Sequence, residues 1–153
     1  MALLFLFRMS AIEAQGTRLL RQPSLSATQL AFEYGGDIWV AGKQGGDAVR
    51  ITSTPAVESD PHFSPDGKWI AFSSNRQGNY DVYVMPAEGG KPKQLTFHSA
   101  DDHVVGWTPD GKKIIFTSSR GQGVFPGVTT LFEISAEGGM ERPIPTDWGS
   151  WAS

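Results

Sequence analysis

The chain has 153 residues, a net charge of −3 and an isoelectric point near 5.5, which argues against a nucleic-acid partner because neutralising phosphates requires a basic surface. It contains no cysteine, which excludes disulfides and thiolate metal sites. Ten prolines and eighteen glycines punctuate short apolar segments, and outside residues 3–7 no apolar run approaches the roughly 18 residues of a membrane helix.

Met1 to Phe7 is almost wholly apolar, and Ala11 to Ala14 places small residues ahead of Gln15-Gly16. This pattern is that of a secretory signal peptide over residues 1–14, although no basic residue precedes the apolar stretch and Arg8 interrupts it. The expected location is therefore periplasmic or secreted, with a cytoplasmic protein as the alternative.

The first strand-rich unit follows. It runs through Leu25-Ser26, Leu30-Ala31-Phe32, Asp37-Ile38-Trp39-Val40 and Val49-Arg50-Ile51-Thr52, with Gly45-Gly46 as a turn. The second unit opens on Phe63-Ser64-Pro65-Asp66-Gly67-Lys68, and this segment returns as Trp107-Thr108-Pro109-Asp110-Gly111-Lys112. Each is a turn with a mechanism: Pro presets φ, Asp bonds its own backbone, and Gly takes a position needing φ > 0. The first unit lacks this turn and is two residues shorter there.

The aromatic positions Phe63, Trp107 and Trp151 are spaced 44 residues apart. A period in the forties with four short strands per unit is the signature of β-propeller blades. Residues 60–64, 68–74, 81–86 and 91–96 are predicted as the four antiparallel strands of one blade. Their equivalents lie near 104–108, 112–118, 130–135 and 141–144. The predicted fold is an all-β partial propeller, with blades over 17–52, 53–96 and 97–146 and the start of a fourth at 147–153. A propeller closes with roughly four to eight blades, so three blades form an arc. Its open faces invite association, which makes a homo-oligomer one expectation.

The candidate chemical groups are few. His62, His98 and His103 are the only histidines, and each is private to one blade. His98 and His103 flank Asp101-Asp102 in the connection between blades, a grouping that can ligate a divalent metal but also reads as a solvated polar loop. No metal or cofactor site is assigned. No Gly-x-Ser-x-Gly elbow or phosphate-binding loop is present, and no catalytic residue is assigned.

Arg76 and Arg120 recur 44 residues apart, and Asp37 and Asp81 stand before equivalent strands with Thr130 in the third unit. Recurrence of this kind predicts structural arginine–carboxylate pairs. The aromatics Phe72, Phe116, Tyr83, Phe132, Trp39 and Trp69 are predicted as core between blades. The third unit breaks the symmetry. From Phe116 to Gly138 is 22 residues, against 17 from Phe72 to Gly89, and the extra length falls in 121–127. Val124 and Phe125 on this insertion are the candidate contacts for a peptide or partner, since insertions in repeats map to loops on one face.

The ordered set Leu19-Leu20-Arg21-Gln22-Pro23, Gly36-Asp37-Ile38-Trp39-Val40, Val105-Gly106-Trp107-Thr108-Pro109-Asp110-Gly111 and Gly149-Ser150-Trp151 resembles the N-terminal WD40-like propeller of tricorn-type S41 serine peptidases. The blade repeat itself is shared with TolB and with prolyl-oligopeptidase relatives. The resemblance covers about residues 17–153. It implies a non-catalytic propeller that channels or filters peptide substrates and contacts the C-terminal domains of a parent peptidase, whose catalytic serine and histidine belong mostly to that C-terminal part. The alternative is a TolB-like periplasmic scaffold acting through protein contacts. A third reading follows from resemblance to oligogalacturonate lyases. Those place several histidines and a metal over the ring, and here only His62 is placed for that role.

Overall fold

The computed structural model describes residues 20–120 and 129–145. They form twelve strands in three antiparallel sheets, each of four strands in simple sequence order. The first sheet holds β1 (Arg21–Leu25), β2 (Gln29–Tyr34), β3 (Asp37–Gly42) and β4 (Val49–Arg50). The second holds β5 (Glu58–Phe63), β6 (Trp69–Ser74), β7 (Asp81–Pro86) and β8 (Lys93–Gln94). The third holds β9 (Asp102–Trp107), β10 (Lys113–Ser118), β11 (Thr130–Ser135) and β12 (Arg142–Pro143). The all-β partial propeller is thus borne out, as three blades in an open arc. The signal peptide expected at 1–14, the loop carrying Val124 and Phe125, and the fourth blade expected at 147–153 lie outside the described residues.

The turns form as their chemistry dictates. Ser64 donates its hydroxyl proton to Asp66 at 2.6 Å, and the Lys68 amide donates to the same carboxylate oxygen at 3.1 Å. Thr108 and Lys112 do the same with Asp110 at 2.6 and 3.1 Å. Gly67 and Gly111 then sit at φ of 71° and 68°, a region that a side chain with Cβ avoids. In the first blade the shorter turn is closed by the Ser26 hydroxyl, which accepts the Gln29 amide at 2.9 Å.

Two apolar cores lie between the three blades. Ile38, Val40, Phe63, Ile70, Phe72, Tyr83 and Met85 fill the space between the first and second. Ala71, Val82, Val84, Leu95, Val104, Ile114, Phe116 and Ile134 fill the space between the second and third. Blade 2 therefore buries both faces, and β6 and β7 are buried along almost their whole length. The outer blades bury one face, and β3 and β10 alternate instead. Each fully buried large side chain such as Phe72 stabilises the arc by about 1.5–3 kcal/mol.

Trp69 does not join a core. It is the first residue of β6, beyond the sandwiched part of the strand, and is 45 % exposed. With Trp107, Pro86 and Lys91 it lines an open groove of about 360 Å³ between blades 2 and 3. Trp39 is half-buried on the outward face of blade 1. The outer strands are also shorter than predicted. Pro92 has no amide to donate before β8, and Pro145 ends pairing after β12.

A polar motif fixes each outer strand in the first two blades. The Thr52 and Thr96 hydroxyls accept the Ile38 and Val82 amides at 2.8 and 2.9 Å and face Asp37 and Asp81 at 3.4 and 3.3 Å. In blade 3 both partners change together, to Thr130 and Pro145.

Candidate functional site

The strands β1, β5 and β9 begin their blades and pack side by side, so they form the inner wall of the arc. Each has an irregularity at the same height. Pairing slips between Arg21 and Ser24 in β1, between Ser59 and His62 in β5, and opposite Ile115 and Phe116 in β9. The residues left over are Gln22-Pro23, Asp60-Pro61 and Val105. Proline cannot donate to a ladder, which makes a bulge the natural way for these strands to continue. This is why β5 starts at Glu58, two residues before the predicted strand.

Gln22 and Asp60 occupy left-handed backbone conformations, with φ of 47° and 54°. For a residue with Cβ this costs about 1–2 kcal/mol, and the side chains supply the compensation. The Gln22 amide nitrogen donates to Asp60 Oδ1 at 2.6 Å, while its oxygen accepts the Asp60 backbone amide at 2.7 Å. The other carboxylate oxygen, Oδ2, accepts Ser59 Oγ at 3.0 Å and pairs with His103 Nδ1 at 3.0 Å. The His103 ring packs against Tyr80, with centroids 4.8 Å apart. Asp60 thus gathers side chains from all three inner strands.

The electrostatics follow from these contacts. Burial pushes the Asp60 carboxyl up, but hydrogen bonds from His103, Ser73 and Ser59 outweigh it and hold the group below the usual carboxylate range. The hydrogen bond to Asp60 raises His103 above the ordinary histidine value, against an opposing effect of burial. His62, on the same strand as Asp60, is held below the ordinary value by burial. Its carbonyl accepts the Trp107 indole at 2.9 Å, another tie between blades 2 and 3.

Serine, aspartate and histidine meet here in an order that does not activate a nucleophile. In a hydrolytic triad the imidazole stands between serine and carboxylate and takes the serine proton. Here Asp60 stands in the middle, and Ser59 donates to the carboxylate instead. The remaining cluster predicted from sequence is dispersed over separate roles. His98 Nδ1 accepts the Ala100 amide, Asp101 accepts the Tyr80 amide, Asp102 binds Arg120, and His103 turns to Asp60. Among the described residues no three His, Asp or Glu side chains are grouped to hold a metal ion. His103 belongs to inner strand β9 and not to the connecting loop, so two histidines, His62 and His103, flank Asp60 where the sequence placed one.

The recurrent arginines make the expected carboxylate pairs, with partners that the sequence reading did not name. Arg76 donates to Glu58 Oε1 at 2.9 Å and to Ser74 Oγ at 2.9 Å. Its guanidinium lies over the stacked Phe72–Tyr83 pair, 4.5 Å from the tyrosine ring centre. Arg120 repeats this with Asp102, Glu141 and Ser118, over the stacked Phe116–Phe132 pair. Asp81, by contrast, bonds Thr96 and Gln94 and no arginine. Two signals could have pointed to these residues: Glu58 and Asp102 stand 44 apart, and X-Pro occurs in the inner strand of both blade 1 and blade 2.

The model of the tricorn protease N-terminal β-propeller domain matches residues 17–153. The chain belongs to this family. Tricorn protease homolog 2 of Streptomyces coelicolor is 45% identical over 58 residues, which is 37% of this chain and 5% of that protein. A TolB homolog of Chlorobium luteolum is 36% identical over 75 residues, 47% of this chain and 17% of the relative. The crystal structure of the tricorn protease superposes with a TM-score of 0.67 at 27% identity, covering 78% of this chain and 12% of that one. The tricorn-type propeller described here therefore spans a small part of the length of the relatives it matches.

Proposed function

We propose that this chain is the non-catalytic N-terminal propeller segment of a tricorn-like S41 serine protease, where it channels or filters peptide substrates and contacts the protein's other domains. The observation that carries this reading is the family match, which runs through all three blades from residue 17 to residue 153. The order of groups around Asp60 supports a role without bond cleavage, because Ser59 bonds the carboxylate and no imidazole stands between them. Val124 and Phe125, on the insertion of the third unit, are the proposed contacts for a peptide or a neighbouring domain. In this reading residues 1–14 direct the protein to the periplasm or the exterior, and residues 147–153 open a fourth blade. The hydrolytic residues lie in a C-terminal part of the parent protein, and no cofactor is assigned.

A second reading is favoured by one observation. The match to the TolB homolog extends over more of this chain than the match to the Streptomyces coelicolor protein. In that case the propeller is a scaffold that works through protein contacts alone. The coding region downstream of Ser153 separates the two. A PDZ-like module followed by a serine peptidase domain supports the peptidase, and a stop soon after ring closure supports the scaffold.

A further inference from the structure

We propose that Gln22, Asp60 and His103 form a proton-operated clasp joining the inner strands of three successive blades. The three residues come from β1, β5 and β9, and each bond in the chain crosses from one blade to the next. At this height each inner strand bulges against its partner within its own blade, and since the three strands belong to different sheets, side chains make the connection from blade to blade. Gln22 commits both ends of its amide to Asp60, which leaves the carboxylate oxygen Oδ2 aimed at blade 3.

His103 sits between two other bonds that fasten blade 3 to blade 2. The Asp102 amide donates to the Tyr80 carbonyl at 2.8 Å, and the Val104 amide donates to Ser73 Oγ at 2.9 Å. When His103 is charged, the link to Asp60 is a charge-assisted hydrogen bond between opposite charges. When it is neutral the ion pair is gone, and the two flanking amides lose the support of that charged link.

The groups around the pair favour the charged form. From β5 come Asp60 and His62, with Glu58 already paired to Arg76. Tyr80 precedes β7, and Asp81 at its start is bound by Thr96 and Gln94. On its own segment His103 has Asp101 and Asp102, the latter bound by Arg120 after β10, and Lys113 lies at the far end of β10, bound to Glu133. Arg21 and Glu33 face Asp60's neighbourhood from β1 and β2. Since His103 is raised when folded, the clasp is fully formed below the ordinary histidine range and is lost as pH rises through the folded value. Asp60 is depressed, so the acid limit lies below the ordinary carboxylate range.

Amide hydrogen exchange in the full chain tests this, measured at about pH 5.5 and about pH 8.5 after correction for the intrinsic rate. The expected result is that protection of the Asp102 and Val104 amides falls roughly two- to fivefold at the higher pH, the range for a partly exposed ion pair. His103→Gln and Asp60→Asn are expected to show the lower protection at both. Equal protection at the two pH values, or an unaltered pH response in His103→Gln, overturns the proposal. Should the variants not fold, the ring resonances of His103 in the unaltered chain decide: a titration midpoint above about 6.5 supports the clasp, and one at or below it refutes it.

Discussion

Glu58 and Asp102 stand 44 residues apart, at the first position of the inner strand in blades 2 and 3, and each holds an arginine over a stacked aromatic pair. Both carboxylates are fully buried, and each has an arginine as its counter-ion. The pairing converts a costly buried ion into a joint between the inner strand and the turn that follows the second strand.

Removing one partner should therefore be severe. Arg76→Ala is expected to cost about 3–5 kcal/mol, because buried Glu58 loses its counter-ion and keeps only the Thr54 and Ser74 hydroxyls. Arg50→Ala removes a half-exposed arginine that pairs with Asp37 at a long 3.5 Å and should cost less than about 1 kcal/mol. Denaturant midpoints of the two variants, compared with the parent, check this. Equal losses would mean that burial does not set the value of these pairs.

The turns allow a sharper comparison. Gly67→Val places a Cβ at φ of 71° and within 3.2 Å of Ser26 Cβ. It should destabilise by at least about 1–2 kcal/mol. Lys68→Val alters a side chain that is 77% exposed and should be nearly neutral. A neutral Gly67→Val beside a damaging Lys68→Val would overturn the blade register.

Much of this was legible in the sequence because it is local. Ser64, Asp66 and Gly67 act within one turn, and their order alone dictates the hydrogen bonds that form. The bulge at Asp60-Pro61 was not, since a proline interrupts the two-residue alternation by which a strand is recognised. Trp69 shows a related limit: its type predicts burial, but its place at the end of β6 leaves it in a groove. The link from Asp60 to His103 joins residues 43 positions apart, and only the packing of one blade on the next brings them together.

Core packing should dominate the stability of the arc. Phe72 is completely buried between blades 1 and 2, stacked on Tyr83 with centroids 5.8 Å apart. Phe72→Ala is expected to cost about 3–5 kcal/mol, more than Gly67→Val. Thermal unfolding of both variants ranks them, and the reverse order would place the main core elsewhere.

Thr96 carries a smaller but specific load. Its hydroxyl accepts the Val82 amide and donates to Asp81, and all three groups are buried. Thr96→Val preserves volume while taking the hydroxyl partner from the Val82 amide and from Asp81 Oδ1, so a loss of about 1–3 kcal/mol is expected. Calorimetry of this variant at neutral pH measures it; an unchanged melting temperature would show that the outer strand is held by Leu95 packing alone.

The function proposed for this tricorn-type propeller segment involves no bond cleavage by its own residues. Incubation of the purified 153-residue chain with fluorogenic peptides tests it most directly. No turnover is expected, because Ser59 hydrogen-bonds the Asp60 carboxylate and not the His103 imidazole. Turnover that disappears on Ser59→Ala or His103→Gln substitution would contradict it.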